Sequence, residues 1–220
     1  MRFVVTAGPT REHLDPVRFL SNPSTGKMGF AVAAAAARCG SVVTLVAGPV
    51  ALKTPRGVRR IDVVSAREML AATVQVVRES LDAGEETAVI ATAAVADWRP
   101  ARCASRKLKK SQMTGNLRLV RNTDILKTLS RIRSHRTSLH LVGFAAETDH
   151  VLAEAARKCQ EKGLDFIVAN DVTERGCGFG SDTNRVAFVH PDGTVQRLPL
   201  LTKRQVASRI LAHLKAKGKI

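Results

Sequence analysis

The most conspicuous shortage in this 220-residue sequence is of aromatic side chains, which make up 4 % of it, with one tryptophan and no tyrosine. So few rings offer no obvious platform on which the bases of a single-stranded nucleic acid could stack. A chain without tyrosine also lacks the Tyr-x-x-x-Lys pair of many nicotinamide-dependent oxidoreductases. Composition therefore counts against both of these function classes.

Cysteines are few as well, and they are dispersed. The four thiols, at Cys39, Cys103, Cys159 and Cys177, form no C-x-x-C pair and have no histidine cluster near them in sequence, so we expect no zinc site. Scattered thiols indicate a reducing compartment rather than a disulfide framework. No apolar run approaches the ~18 residues of a membrane span, and the N-terminus has no signal-peptide architecture. We expect a cytoplasmic protein without membrane association.

Acidic residues are scarce relative to basic ones. Lys and Arg number 35 against 19 Asp and Glu, which gives a net charge of +16. Residues 99–140 contain twelve basic residues and one acidic residue, Asp124. An excess of this size indicates anionic partners: nucleotides, phosphorylated metabolites, nucleic acid or acidic lipid. For about half of the twelve, a solvated surface face is an acceptable alternative.

Hydrophobic patterning predicts the fold class. Short runs rich in Val and Ile alternate with longer helical patterns, which is typical of βαβ units around a parallel sheet. The pattern predicts strands at residues 3–7, 42–47, 58–64, 87–94, 117–121, 140–144, 165–169, 186–189 and 194–198. It predicts helices at residues 26–38, 66–82, 123–134, 149–162 and 202–215, with a long polar loop after the first strand and a basic loop at 99–116.

The order of these elements predicts one α/β domain over residues 1–220. We expect a Rossmann-like, doubly wound, mostly parallel sheet with helices on both faces. The turn Pro191-Asp192-Gly193 joins the last two strands into a C-terminal β-hairpin. The run at 87–94 has almost no polar residue, so it should be central and buried on both faces.

Two generic phosphate-binding motifs are absent. The dinucleotide fingerprint G-x-G-x-x-G does not follow the first strand, where residues 8–12 read GPTRE. A P-loop requires Ser or Thr directly after its Gly-Lys pair and a second Gly five positions before that pair's Gly. Here Met28 follows Gly26-Lys27, and the position five before Gly26 is Ser21. Ser24-Thr25-Gly26 still opens a predicted helix. Its free N–H groups favour an anion, and a plain Ser/Thr helix cap is the equally weighted alternative.

Eight sequence blocks, in this order and spacing, resemble the phosphopantothenate–cysteine ligases. They are residues 6–12 (TAGPTRE), 15–18 (DPVR), 21–29 (SNPSTGKMG), 93–97 (AAVAD), 107–110 (KLKK), 122–126 (NTDIL), 142–148 (VGFAAET) and 169–171 (AND). No block is specific alone, but the ordered set covers nearly the whole chain. In many bacteria this domain follows a flavin-dependent decarboxylase, and we expect that partner domain to be missing here.

The resemblance implies an enzyme of coenzyme A synthesis that joins 4′-phosphopantothenate to L-cysteine. Bacterial members activate the carboxylate with CTP and release pyrophosphate; the cysteine amine then attacks the acyl cytidylate and expels CMP. Some branches use ATP. The resemblance also implies Mg²⁺ with the nucleotide, no flavin in this chain, and a homodimer without a specific nucleic-acid partner.

Three residues acquire catalytic roles by this resemblance. Asn22 matches an asparagine that handles the acyl-nucleotide intermediate, as a neutral amide donor suits a developing oxyanion; the alternative is a turn before Pro23. Arg18 matches an arginine that could neutralise substrate phosphate, with a surface ion pair to Asp15 as the alternative. Lys107 begins the K-x-K-K signature and could close over a triphosphate.

The resemblance also implies a set of nucleotide-binding residues. They are Ala91, Thr92, Ala93, Asp97, Lys107, Thr123, Asp124, Ile125, Leu126, Phe144, Lys158 and Lys162. Thr123 departs from the family, which often has proline there. Lys158 and Lys162 share a helical face by their i, i+4 spacing, although an ordinary ion pair between Glu154 and Lys158 is a competing account.

Bland alternatives exist for several of these positions. Asp97 could be an ordinary turn residue at a strand end, Phe144 an ordinary core residue, and Lys109 and Lys110 solvated charge. Two other functions also stay open. One is an NAD(P)-dependent Rossmann-type oxidoreductase, and the other is a basic nucleic-acid-binding protein, which the net charge favours.

Overall fold

The computed structural model describes residues 1–109 and 115–218, and in these ranges the chain forms fourteen strands and five helices. The strands of the main sheet are β1 (Arg2–Ala7), β4 (Val42–Ala47), β5 (Val58–Asp62), β6 (Thr87–Ala91), β9 (Leu139–Glu147), β10 (Phe166–Asp171), β12 (Val186–Val189) and β13 (Val195–Arg197). Three short pairs flank it: β2 (Arg11–His13) with β3 (Phe19–Ser21), β7 (Trp98–Pro100) with β8 (Leu119–Arg121), and β11 (Thr183–Asn184) with β14 (Leu201–Thr202). The helices are α1 (Lys27–Arg38), α2 (Ala66–Asp82), α3 (Ile125–Arg133), α4 (Val151–Glu161) and α5 (Lys203–Ala216).

The main sheet has eight strands in the order β13-β12-β10-β9-β6-β1-β4-β5. The six strands from β10 to β5 are parallel, and the β12–β13 hairpin adds two antiparallel strands at one edge. The chain winds outward from β1 in one direction through β4 and β5, then crosses back to β6. Open α/β sheets bind ligands outside the carboxyl ends of their strands at such a reversal.

Side chains alternate between two hydrophobic cores, one on each face of the sheet. Phe3 and Val5 of β1 point into a core made with α1 and α5, while Val4 between them points into a core made with α2, α3 and α4. Val89 and Ile90 of β6 are fully buried in opposite cores. The predicted fold class, with helices on both faces and a C-terminal β-hairpin, is confirmed.

Local signals explain where two of the helices begin. Ser65 caps α2 by accepting from the N–H of Glu68, whose carboxylate accepts in return from Val64 N–H and from the Ser65 hydroxyl. Thr202 and Gln205 form the same reciprocal arrangement at the start of α5. In the described part of the chain, none of the five helices combines the length and apolar character that spanning a bilayer requires.

The start of α1 rules out one of the two alternatives considered above. Gly26, in a left-handed conformation with φ 78°, is the N-cap of α1, and no side chain caps this end. The Ser/Thr cap is therefore wrong, and the first N–H groups of the helix have no side-chain oxygen bound to them.

Short elements are where the predicted secondary structure is wrong. The loop after β1 contains the β2–β3 hairpin, and the basic loop begins with β7, which pairs with β8. The strand predicted at 87–94 ends at Ala91, and the next six residues run irregularly across the sheet edge. In contrast, β9 continues three residues beyond the predicted Phe144, because Ala145–Glu147 pair with β10.

Gly29 allows α1 to lie directly on the ends of the strands. A Cβ at this position would come within 2.5 Å of the Cβ of Ala7 and would also collide with the Thr92 hydroxyl. Thr92 cannot yield freely, since its hydroxyl donates to the carbonyl of Thr6 at 2.7 Å. The close approach brings the N-terminal end of α1 to the carboxyl edge of the sheet.

We expect Gly29→Ala to lower the free energy of unfolding by about 1–3 kcal/mol through overpacking, measured by urea denaturation. Helix propensity alone predicts the opposite sign, a gain of about 1 kcal/mol. Gly180→Ala is the control, because a Cβ there meets no atom within 4 Å. A stabilised Gly29→Ala protein would show that α1 can retreat from the sheet without cost.

Candidate active site

A cleft of ≈ 510 Å³ lies at the carboxyl ends of β6, β9 and β10. Twelve of the fourteen site residues predicted from the sequence line it: Asn22, Ala91, Thr92, Ala93, Asp97, Thr123, Asp124, Ile125, Leu126, Phe144, Lys158 and Lys162. They come from five separate segments of the chain. Arg18 and Lys107 do not line the cleft.

One wall of the cleft is the irregular segment 92–97, which two buried threonines hold in place. The Thr6 hydroxyl accepts from Ala93 N–H at 3.3 Å, and the Thr10 hydroxyl accepts from Ala96 N–H at 3.0 Å. Ala94 N–H donates to the Gly8 carbonyl at 2.9 Å. Residues 6–10, at the end of β1 and just after it, thus bind backbone N–H groups of the segment that follows β6.

Asn22 is exposed at this wall. Its Nδ2 donates to the carbonyl of Ala94 at 3.0 Å, which fixes the direction of the amide. An amide nitrogen carries two N–H groups, so one can bind the cleft wall while the other faces a ligand.

Asn122 reinforces the wall from the opposite side. Its backbone N–H donates to the Asp97 carbonyl and its Nδ2 to the Ala96 carbonyl, both at 2.8 Å. Its Oδ1 accepts from Arg99 at 3.0 Å. Asp97 itself is an exposed side chain between this anchored backbone and β7.

Both lysines of the cleft are paired with carboxylates, but Lys158 is not paired with Glu154, the partner considered above. Lys158 pairs with Glu147 at the end of β9, and Lys162 pairs with Asp124 at 2.9 Å. Glu154 pairs instead with Arg157, so the proposed Glu154–Lys158 pair is wrong. The side chains of Lys158 and Lys162 are 32 % and 24 % exposed. Both line the cleft from the C-terminal end of α4.

Asp124 combines two tasks. Its side chain caps α3 by accepting from Lys127 N–H at 2.9 Å, and its second oxygen binds Lys162. Burial alone raises the pKa of this carboxyl, but the Lys127 N–H and the Lys162 ammonium outweigh burial, so the pKa is lowered. Asp124 is therefore ionised and holds α3 and α4 together at the cleft.

Arg18 lies in a second arrangement outside the cleft. Its guanidinium binds the fully buried carboxylate of Asp15 and the carbonyl of Leu108, and Leu108 N–H donates to the same carboxylate at 3.2 Å. Arg18 lowers the pKa of Asp15 far below its ordinary range; burial opposes this, and backbone N–H groups reinforce it. The ion pair with Asp15 considered above is therefore present, although its carboxylate is buried, and it fastens the basic loop one residue after Lys107.

Lys107 is exposed where the structure describes it, and Lys110 lies outside the described residues. In the same described ranges, no group of three or more His, Cys, Asp or Glu side chains is arranged to hold a metal ion.

A smaller cavity adjoins the cleft at the N-terminal end of α1. Its walls include Ser24 to Gly29, Asn170 and Lys203, and it shares Thr92, Phe144, Ala145, Ala146 and Phe179 with the cleft. The free N–H groups and positive dipole end of α1 make this cavity favourable for an anion. Asn170 Oδ1 faces it as a buried atom without a hydrogen-bond partner.

Among the lining residues that were not predicted, three have an evident role. Glu147 binds Lys158, Asn122 fixes the 92–97 wall, and Phe179 separates the two cavities. Asn122 and Glu147 fall inside sequence blocks that resemble the ligase family, which was the available signal. Phe179 lies in a glycine-rich turn that carries no comparable pattern.

We expect Asp124→Ala to cost about 1 kcal/mol of unfolding free energy at pH 7, because α3 loses its cap and the pair with Lys162. The folded-state pKa is lowered from 3.8, so this contribution is complete above about pH 4 and is lost as the pH falls further. Urea denaturation from pH 7 to pH 3 measures it. Asp82→Ala, which removes a surface pair with Arg136 and no cap, is the control and should cost about 0.5 kcal/mol or less. A cost for Asp124→Ala that stays unchanged from pH 7 to pH 3 would contradict this assignment.

Comparison with known proteins places this geometry in a family. A model of the family described as DNA/pantothenate metabolism flavoprotein C-terminal domain matches residues 1–217. The coenzyme A biosynthesis bifunctional protein CoaBC of Escherichia coli is 45 % identical over 217 residues, covering 97 % of this chain and 51 % of that protein. CoaBC of Bacillus subtilis is 46 % identical over 217 residues, covering 98 % and 51 %. The chain thus spans about half the length of these relatives.

A solved structure agrees with this match. The crystal structure of the C-terminal domain of CoaBC superposes with a TM-score of 0.80 at 41 % identity, covering 98 % of this chain and 94 % of that one. Sequence and fold agree over almost the entire chain. The chain therefore belongs to the DNA/pantothenate metabolism flavoprotein C-terminal domain family.

Proposed function

We propose that this chain is a phosphopantothenate–cysteine ligase that acts in coenzyme A synthesis. The observation that carries the proposal is the cleft itself, in which twelve residues matched to the ligase pattern converge from five segments. The relatives that match this chain over 217 residues are named for coenzyme A biosynthesis. The reaction would take place in the cytoplasm, in one domain over residues 1–220.

The first step we propose is activation of a carboxylate. A carboxylate oxygen of 4′-phosphopantothenate bonds to the α-phosphorus of the nucleotide, and pyrophosphate leaves. Lys158 and Lys162 line the cleft, where they can meet the negative charge of the phosphates. The end of α1 offers free N–H groups in the adjoining cavity. Phosphate oxygens would replace Glu147 and Asp124 as partners of the two ammonium groups.

The second step forms the amide. The cysteine amine bonds to the acyl carbon, CMP or AMP leaves with the bonding electrons, and the amine releases a proton. Negative charge develops on the acyl oxygen in the transition state, where a fixed N–H donor is most effective. Asn22 supplies such a donor, since Ala94 holds its amide at the wall of the cleft.

Lys107 and Arg18 have separate roles in this proposal. Lys107, which is exposed, would neutralise charge on the leaving pyrophosphate. Arg18 acts through Asp15 and Leu108 to hold the backbone next to Lys107, and does not itself bind phosphate.

The nucleotide is proposed to be CTP, with ATP as the alternative, and it would carry Mg²⁺. Mg²⁺ prefers oxygen ligands and often binds through one or two carboxylates together with substrate phosphates. Of the carboxylates that line the cleft, Asp124 and Glu147 already bind lysines, and Asp97 is exposed. Asp97 is accordingly the residue we propose for contact with the metal-bearing nucleotide. The proposal includes no flavin and no specific nucleic acid.

A homodimer is part of the proposal, supported by an exposed apolar surface. The two short hairpins β2–β3 and β7–β8 contact each other and carry exposed apolar side chains beside the basic loop. They are Val17, Phe19, Trp98, Leu117 and Leu119, between 39 % and 56 % exposed. Clustered apolar side chains of this size are typical of a surface that another subunit covers.

We expect the purified protein to convert phosphopantothenate and cysteine to their conjugate with Mg²⁺ and either CTP or ATP, releasing one pyrophosphate per conjugate. Mass spectrometry of the conjugate and a coupled pyrophosphate assay measure this. Reactions without cysteine separate nucleotide activation from amide formation. The absence of conjugate with both nucleotides would refute the proposed function.

Asn22→Asp should slow the second step by about 10²-fold or more, because a carboxylate repels the developing oxyanion that the amide stabilises. Acyl nucleotide should accumulate, and rapid quench followed by mass spectrometry detects it. Asn116→Asp, a change of the same kind at an exposed position outside the cleft, is the matched control. Unchanged turnover in Asn22→Asp would remove this residue from the mechanism.

A further inference from the structure

Lys203, the first residue of α5, is a buried lysine that forms no ion pair within the described ranges. Its side chain is 6 % exposed. The ammonium donates to two carbonyls only, those of Phe179 at 3.0 Å and Gly178 at 3.5 Å. Burial lowers the pKa of Lys203 and the nearby charge of Lys27 lowers it further, while Asp182 and Cys177 act in the opposite direction.

This position is energetically unfavourable for a lysine that serves packing alone. Desolvation of an ammonium is compensated fully only by a carboxylate or by several well-placed acceptors. An apolar side chain of the same length would fill the space without that cost. A specific task for the ammonium therefore has to be sought in the carbonyls that it binds.

Those carbonyls belong to a turn that is fastened to the N-terminal end of α1. The Phe179 carbonyl also accepts from the Thr25 hydroxyl at 2.9 Å. The next carbonyl, that of Gly180, accepts from Lys27 at 2.8 Å, and Lys27 also pairs with Asp182 at 2.7 Å. Three successive carbonyls thus bind donors from α1 and α5, and Lys203 is the buried donor of the set.

The turn places Phe179 between the two cavities of the site. Phe179 is one of five residues that line both the cleft and the cavity at the end of α1, together with Phe144. A ligand that reaches through both cavities needs an anionic part at the helix end and a part that fits between these rings. A nucleoside triphosphate has this composition.

We propose that Lys203 is a positioning residue for the nucleotide: its ammonium holds the 178–180 turn against α1 and so fixes Phe179 at the junction of the two cavities. This rests on the proposed function for the identity of the ligand. It does not require Lys203 to touch the ligand. Loss of the ammonium should loosen the turn and weaken nucleotide binding, while the chemistry of amide formation continues.

The test compares Lys203→Met and Lys203→Arg with the wild type. Met keeps the length and apolar stem but cannot donate, whereas Arg restores a cationic donor. Lys215→Met removes one charge from the exposed opposite end of the same helix and is the matched control. Steady-state kinetics, calorimetric binding of CTP and of ATP, hydrogen exchange of residues 176–182 and thermal unfolding are measured for each protein.

For Lys203→Met we expect the nucleotide KM and Kd to rise about tenfold, as for loss of a charge-assisted hydrogen bond. The kcat and the KM for cysteine should stay within about twofold, and exchange in 176–182 should accelerate. Lys203→Arg should recover part of the affinity, and Lys215→Met should match the wild type.

Wild-type nucleotide affinity in Lys203→Met would overturn the proposal. A uniform loss of kcat and of all affinities, together with a lower unfolding temperature, would also overturn it, as this is the result of a merely structural role. If the wild type makes no conjugate, the proposed function fails on its own. Hydrogen exchange still tests whether Lys203 holds the 178–180 turn. Unchanged exchange of residues 176–182 in Lys203→Met rejects this role, and accelerated exchange supports it.

Discussion

The site depends on how the irregular segment 92–97 is satisfied where the sheet ends. Thr92 N–H still donates to the Thr6 carbonyl of β1, but the groups after it bind the Thr6 and Thr10 hydroxyls, the Gly8 carbonyl and the Asn122 side chain. Buried backbone groups without partners are costly, which is why residues 6–10 and Asn122 converge there. The same convergence places the Asn22 amide and Asp97 on one wall. Position of the functional groups is thus a by-product of completing the hydrogen bonds of the backbone.

Charge in the cleft is arranged differently from charge on the chain as a whole. The chain carries a large positive excess, yet both lysines of the cleft are paired with carboxylates. A paired ammonium keeps a defined position, whereas an unpaired one samples many rotamers. In the proposed reaction, an arriving phosphate would therefore exchange one partner for another instead of ordering a mobile side chain. The general excess elsewhere on the surface attracts anions at long range but gives them no specific place.

Much of the fold follows from the sequence, because its long elements carry strong periodicity. The central strands and all five helices were predicted at nearly their observed positions. The strands β2, β3 and β7 have three residues each, too few for a period of two to be visible, and they were read as loop, whereas the equally short β8 lies within the strand predicted at 117–121. The partner of Lys158 was also missed, since helical spacing suggests neighbours such as Glu154 and says nothing about Glu147 on a different element. Lys203 carries no signal at all in sequence, where it looks like an ordinary first-turn residue of an amphipathic helix.

The anchoring of the basic loop by Asp15 and Arg18 links the position of Lys107 to the β2–β3 hairpin. Ala104 N–H donates to the Leu14 carbonyl and Leu108 is bound on both sides, so residues 105–107 form a short arc between two fixed points. The backbone at Lys107 can therefore shift only together with the turn at 14–18. That turn joins β2 to β3, whose exposed Phe19 belongs to the apolar surface described for the dimer. In the proposed dimer, a contact that moved this hairpin would also change how far Lys107 can reach, so subunit contact and the position of this lysine would be linked through the Asp15–Arg18 pair.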